Sequence, residues 1–209
     1  MLDLIKRIVQ RQIELIARKA PMLTEDQLKQ IMPKLGRQEA KLKTFLPELT
    51  KAMQEGEINT PERIAAFLAQ LALESGEFLH WEELWGPSKQ QLRYEPPSSL
   101  ATRLGNTKPG DGYKYRGRGP IQLTGRYNYR AAGSALGVPL EEHPERAAWL
   151  DTGFRIAVWF WNSRKLNGYA DVGDFDAITL RINGGYNGKL QRDAYYKKAK
   201  EILGVKEND

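Results

Sequence analysis

Cysteine is absent from this 209-residue chain, so neither a disulfide nor a thiolate centre can form. Histidine is scarce: His80 and His143 are its two copies, too few for a His-based zinc site and a thin supply for a Ser-His-Asp triad. No apolar run reaches the roughly 20 residues of a membrane-spanning helix. There is no internal repeat and no low-complexity segment. Acidic residues are in deficit, 26 against 32 basic ones, which gives a formal charge of +6 and a pI near 9.4. That balance favours polyanionic partners as a class: nucleic acid, an anionic membrane face or an anionic wall polymer. What remains is ample for a core, with five Trp, nine Tyr and six Phe in a length that suits one domain of two lobes or two small domains.

Residues 1–22 stand apart. Leu2, Ile5, Val9, Ile13 and Ile16 repeat at helical spacing, with Lys6, Arg7, Arg11 and Arg18 mostly opposite. Over residues 1–20, five basic and two acidic residues leave +3. The basic residues interrupt any signal-peptide apolar region, so a secretory signal is not expected. Such a helix either lies against anionic lipid or packs on its own fold, the commoner fate of an amphipathic face.

From Leu23 onward the pattern is mainly helical. Thr24 and Gln27 have capping-box spacing, and two short helices are expected between residues 24 and 55, punctuated by Pro33 and Gly36. Residues 86–120 are dense in glycine and proline and read as a functional loop region at a cleft edge, with a small strand or hairpin element between residues 79 and 123. Pro144 opens a helix through Trp149, and Phe154 to Trp161 is nearly continuously apolar, as a buried helix would be. Asp174 caps a helix over Phe175 to Ile182, and residues 189–203 form a last, basic helix.

One carboxylate is unusually placed. Thr60-Pro61 supplies an N-cap and a first helical residue; Ile64, Phe67, Leu68 and Leu71 then follow at helical spacing, and Glu74 continues that apolar stripe. Apolar surroundings disfavour the charged form, which is the preparation a general acid needs. A partner would come from Glu82 or Glu83, flanked by Trp81 and Trp85, or from Glu95. Two carboxyls across a cleft are the minimal equipment for glycoside hydrolysis, and Trp and Tyr suit sugar faces.

Five segments in order carry a resemblance. They are Ala69-Gln70-Leu71-Ala72-Leu73-Glu74-Ser75-Gly76-Glu77-Phe78; Gly105-Asn106-Thr107 with Pro109-Gly110-Asp111-Gly112; Tyr115-Arg116-Gly117-Arg118-Gly119-Pro120-Ile121-Gln122-Leu123-Thr124-Gly125-Arg126 with Asn128-Tyr129; Ala157-Val158-Trp159-Phe160-Trp161; and Gly173-Asp174-Phe175-Asp176-Ala177-Ile178-Thr179 with Arg181-Ile182-Asn183-Gly184-Gly185. Together they resemble glycoside hydrolase family 19, the chitinase family that includes many phage endolysins. The resemblance runs from about Leu23 to the C-terminus and implies a two-lobed, lysozyme-like fold with a small β-hairpin element beside the cleft, forming a catalytic domain over residues 23–209. It implies Glu74 as general acid and Glu83, nine residues later, as general base, with Glu95 as its rival. Thr124 matches a hydroxyl that holds the attacking water. Gln122, Asn128 and Asn183 match cleft-lining groups, as Glu95 does if it is not the base, and Arg192 matches a basic residue that supports the carboxylates. The family commonly has His before the acid, where this chain has Leu73. Inversion is implied, with the two carboxyls about 6.5–9.5 Å apart, and no metal or cofactor.

The expected substrate is peptidoglycan, cleaved at the MurNAc–GlcNAc β-1,4 bond by an endolysin; a chitinase or a non-catalytic wall-binding module are the alternatives. Compact length, the lack of a cysteine-rich module and the phage-type phrasing of the segments favour peptidoglycan. So does a basic strip of Lys108, Lys114, Arg116, Arg118, Arg126 and Arg130 against Asp111. The expected protein is a monomer with no nucleic-acid partner, made in the host cytoplasm and acting at the wall, with anionic membrane contact through residues 1–20.

Overall fold

The computed structural model describes residues 22–206, so the amphipathic stripe over residues 1–20 lies outside it. Helix α1 (Glu25–Ile31) starts with the capping box its spacing predicts: Gln27 N–H donates to Thr24 Oγ1 at 3.1 Å, and Thr24 N–H to Gln27 Oε1 at 2.9 Å. Where two helices are expected before residue 55 there are three, since α2 (Pro33–Gly36) separates α1 from the longer α3 (Glu39–Glu55). Helix α3 runs through Pro47. The burial of Leu42, Phe45, Leu49 and Met53 on one face outweighs the missing backbone donor.

Helix α4 (Pro61–Glu74) is the centre of the larger lobe. Thr60 Oγ1 accepts from Arg63 N–H, Pro61 sits in the first turn, and every residue from Ile64 to Ala72 is buried. Around it pack α10 (Leu166–Asp171), α11 (Phe175–Asn183) and α12 (Lys189–Leu203), while α9 (Leu150–Ser163) lies along α3. Asp174 caps α11 as expected, accepting from Ala177 N–H at 2.9 Å. Phe45, Phe78, Trp81 and Phe154 form an edge-to-face cluster with centroids 4.8–6.0 Å apart. The fully buried members, Phe78 and Phe154, each contribute roughly 1.5–3 kcal/mol.

The smaller lobe occupies residues 82–148. Its helices are short: α5 (Lys89–Leu92), α6 (Ser99–Leu104), α7 (Asp111–Lys114) and the longer α8 (Arg126–Leu136). Pro144–Ala148 forms a 3₁₀ turn rather than the α-helix expected there. The lobe has a small core of its own, in which Tyr115, Leu123, Tyr129, Ala132, Leu140 and Ala147 meet Ile156 of α9. The expected hairpin is reduced to two isolated antiparallel bridges, Glu82 with Arg118 and Arg118 with Leu123. Glycine and proline interrupt this stretch too often for a longer ladder. The mainly helical, two-lobed architecture is the expected one.

Ion pairs tie the smaller lobe together. Arg126 bonds Asp111 at 2.5 Å and Glu141 at 3.0 Å, and Arg130 bonds Glu141 at 2.6 Å. Arg116 and Arg118 both hold Glu82, at 2.6 and 2.7 Å. Four of the six cations in the basic strip are thus engaged within the fold, and the strip loses most of its force as a mark of an acidic substrate.

Candidate active site

Glu74 ends α4, and α12 brings a cation to it. Arg192 Nη2 donates to Glu74 Oε1 at 2.5 Å, Nη1 donates to Gln70 Oε1, and Nε reaches Asn187 O at 3.3 Å. Gln70 Nε2 then donates to Thr179 Oγ1 at 2.9 Å. The Arg192 side chain is 4% exposed and that of Glu74 22%. The apolar stripe does lead to Glu74, but the carboxylate does not end in the apolar surroundings expected of it: a buried guanidinium sits on one oxygen. The packing of α12 along α4 brings that guanidinium there. Leu73 packs against Gly188 at the start of α12; a Cβ there would fall 2.6 Å from its Cδ2.

After Glu74 the chain reverses through three left-handed residues, Gly76, Glu77 and Phe78, with φ of +58°, +62° and +62°. For the two non-glycine residues this costs about 1–2 kcal/mol each. Side-chain contacts offset it. Glu77 is buried and accepts from Lys34 N–H and Tyr195 O–H, both at 2.6 Å, while Phe78 enters the aromatic cluster. Helix α12 therefore grips this segment twice, through Arg192 and Tyr195.

The reversal carries the chain across to the smaller lobe, where Glu82 and Glu83 part company. Successive side chains of an extended segment point to opposite sides: Glu82 goes to Arg116 and Arg118, Glu83 to Gln91 and Gly117. Glu83 Oε1 accepts from Gln91 Nε2 at 3.0 Å, and Oε2 from Gly117 N–H at 3.1 Å. Gln91 is itself fixed by a capping box with Ser88 and by a bond to Leu84 O at 2.8 Å. Gly117 permits the approach, because a Cβ there would fall 2.6 Å from Gln122 Oε1 and 3.4 Å from Glu83 Oε2. The side chains of Glu83 and Gln122 thus converge over a backbone without a side chain.

Between the lobes lies a recess of about 260 Å³ lined by Glu74, Gln122, Thr124, Asn128 and Asn183, with Leu104, Ile121, Phe160 and Ile182 among the apolar walls. Gln122 has φ +52°, a strained value of the kind that marks held functional turns. Its amide donates to Gly119 O at 3.0 Å. Thr124 Oγ1 donates to Gln122 O at 2.8 Å, so its lone pairs remain to accept. Asn128 Nδ2 donates to Thr124 O at 2.8 Å. Asn183 Nδ2 is buried with no hydrogen-bond partner among the described residues, a donor left for an acceptor in the recess.

Glu95 is placed elsewhere. Its oxygens accept from Gly110 N–H at 2.9 Å and Tyr113 N–H at 3.2 Å, so the carboxylate is engaged in holding the turn that begins α7. Three supporting residues were given no role by the sequence reading, although Gln70 and Thr179 stand within the segments that carry the resemblance. Gln70 stands one helical turn before Glu74 on the same face, and its spacing alone could have drawn attention. Gln91 follows Ser88 at capping-box spacing, a signal visible in the sequence. Thr179, behind Gln70, carries no such mark.

The family model described as chitinase class I matches residues 46–172, more than half of the chain. The chain belongs to glycoside hydrolase family 19. A Haemophilus influenzae protein described as family 19 domain-containing is 38% identical over 169 residues, which cover 69% of this family 19 chain and 80% of the other. Endochitinase At2g43610 of Arabidopsis thaliana is 44% identical over 123 residues, covering 58% of this chain and 39% of that longer protein. Chitinase C of Streptomyces griseus has the same fold, with a TM-score of 0.68 at 23% identity over 88% of this chain and 94% of that one. The class IV family 19 chitinase of Zea mays is 28% identical, with a TM-score of 0.58, over 79% and 82% of the two chains. A glycoside hydrolase of this family acts on a polysaccharide.

Proposed function

We propose that the chain hydrolyses β-1,4 bonds between N-acetylhexosamines with inversion. Glu74 protonates the leaving oxygen, Glu83 takes the proton of the attacking water, and Thr124 helps hold that water. The observation that carries this reading is the placement of two carboxylates on different lobes: Glu74 lines the recess, and Glu83 closes over Gly117 on the same side as Gln122, a residue of the recess wall. Glu95 turns to Gly110 and Tyr113 at the start of α7, whereas Glu83 stands over Gly117 beside the recess residue Gln122, so Glu83 is preferred as the base. Chitin-type polymers are the first substrate, since endochitinases are among the relatives. Peptidoglycan is the second, supported by the bacterial relative, of which the match spans 80%.

Wild-type protein and Glu74→Gln would be incubated with GlcNAc oligomers and with purified peptidoglycan, and the products read by mass spectrometry and by anomeric NMR. The expected result is α-anomer release by the wild type, falling about 10²–10⁴-fold in the variant. Muropeptides ending in reducing MurNAc would select the peptidoglycan reading. Retained activity in Glu74→Gln, or anhydro-sugar ends, would overturn the mechanism.

A further inference from the structure

Asparagine followed by glycine is the pair in which a chain most readily attacks its own side chain, because no Cβ shields the glycine nitrogen. The sequence holds three such pairs, Asn167-Gly168, Asn183-Gly184 and Asn187-Gly188. Ring closure needs a glycine N–H that is not held and an amide that can turn toward it. Two of the pairs are locked. Asn167 lies in α10, where its Oδ1 accepts from Trp161 Nε1 at 2.8 Å, its Nδ2 donates to Gly56 O at 3.2 Å, and Gly168 N–H donates to Lys165 O at 3.2 Å. Asn183 ends α11 with its Nδ2 buried, and Gly184 N–H donates to Leu180 O at 2.9 Å.

Asn187 is the opposite case. It stands exposed in the turn between α11 and α12, and its amide bonds no group among the described residues. Gly188 N–H likewise has no acceptor among them; the turn is closed by Lys189 N–H, which donates to Tyr186 O at 3.1 Å. Yet this turn supports the site. Asn187 O accepts from Arg192 Nε at 3.3 Å, and the same guanidinium donates to Glu74 and Gln70. Gly188 lies against Leu73, the residue before Glu74.

We propose that Asn187 is a site of spontaneous deamidation, and that its conversion unseats Arg192 from Glu74. Hydroxide takes the Gly188 amide proton, the nitrogen attacks Asn187 Cγ, and ammonia leaves from a five-membered succinimide. Water then opens the ring at either carbonyl. Opening at the α-carbonyl leaves isoaspartate: the chain now runs through Cβ and Cγ, one carbon longer, and the former Asn187 carbonyl is a free carboxylate. Arg192 Nε thereby loses a neutral acceptor, and a new anion competes with Glu74 for its guanidinium. The added carbon also displaces Gly188 from Leu73, where the fit leaves no room for a Cβ. The conversion stands by itself; the loss of activity that follows from it rests on the hydrolase reading above.

The test is ageing of the full chain in mildly alkaline buffer. Trypsin releases residues 182–189 as one peptide, and tandem mass spectrometry places the exchange of NH₂ for OH at Asn183 or Asn187. Asn187 is expected to convert first, with Asn183 and Asn167 intact while it is consumed. The kcat on the GlcNAc hexamer should fall in step with the isoaspartate fraction, by about tenfold or more at full conversion, the worth of a hydrogen bond to a charged group. Asn187→Gln keeps the backbone carbonyl but would need a larger ring, so it should hold its own starting kcat over the same period. Isoaspartyl methyltransferase with S-adenosylmethionine returns isoaspartate to aspartate and should restore activity to the aged wild type, which it could not do for unfolded protein. Conversion of Asn183 or Asn167 ahead of Asn187 overturns the site. Conversion at Asn187 with kcat unchanged, or an equal loss in Asn187→Gln, overturns the link to Glu74. If fresh protein cleaved neither the hexamer nor peptidoglycan, the hydrolase reading would fall and the link with it, while conversion at Asn187 would stand on mass alone.

Discussion

Glu74 and Glu83, the proposed acid and base, stand on lobes built on different physics. The acid side rests on a helix buried from Ile64 to Ala72 and on a guanidinium held from three directions. The base side rests on short helices, a small core and chains of charged hydrogen bonds through Arg116, Arg118, Arg126 and Arg130. Packing is insensitive to charge, whereas directional polar bonds are not. The two proposed catalytic groups should therefore respond differently to the same kind of injury.

The largest difference is expected between two arginines. Arg192→Met leaves the largely buried Glu74 and the fully buried Gln70 without their cation, and breaking such a pair costs about 3–5 kcal/mol. For a chain of this size that lowers Tm by roughly 10 °C. Arg130→Met removes a pair whose cation is 62% exposed and should cost less than about 1 kcal/mol. Scanning calorimetry of both variants decides the matter, and equal shifts would break the comparison.

A smaller but more selective effect is expected at Gln91. Its amide donates to Glu83 Oε1, and the other oxygen is held by Gly117 N–H, a backbone donor that stays in place. Gln91→Ala should lower kcat about tenfold through a misplaced base, since a bond to a charged group is worth about 1.5–3 kcal/mol. The exposed α5 turn should lose little, so Tm should move by only a few degrees. A large fall in Tm with an unchanged kcat would show that Gln91 serves the fold and not Glu83.

The same contrast explains what the sequence made legible. Periodic apolar residues mark α4, α9 and α11 because burial writes itself into spacing, and the caps at Thr24, Thr60 and Asp174 are local signals. Family resemblance named Glu74, Gln122, Thr124, Asn128 and Asn183, and the structure gathers all five around one recess. The smaller lobe was harder to read. Its expected hairpin is two bridges, and its basic strip is mostly internal ion pairing, because partners such as Arg126 and Glu141 stand fifteen residues apart with no periodicity to join them. Family resemblance also named Arg192, but its bond to Glu74, like that of Tyr195 to Glu77, depends on the packing of α12 along α4, which no local pattern contains.

The smallest expected effect, and the sharpest test of the contrast, is acid. Arg130 above all, with Arg126 and against some burial, holds the Glu141 carboxyl down to about 2 from 4.5. Burial opposes ionisation of Asp111, yet bonds from Arg126 and from the Lys108 and Thr107 N–H groups outweigh it and keep that carboxyl below its ordinary value. Both groups bind protons more readily unfolded than folded. The stability they contribute is therefore complete above about pH 4.5 and is lost as the pH falls toward about 2. Amide exchange should rise across residues 106–141 over that window while α4 stays protected. Glu141→Gln removes the principal titrating group, so its smaller lobe should already exchange faster at neutral pH and change less with acid. An acid response of wild-type size in that variant would mean that the smaller lobe is held by its apolar core, as the larger one is.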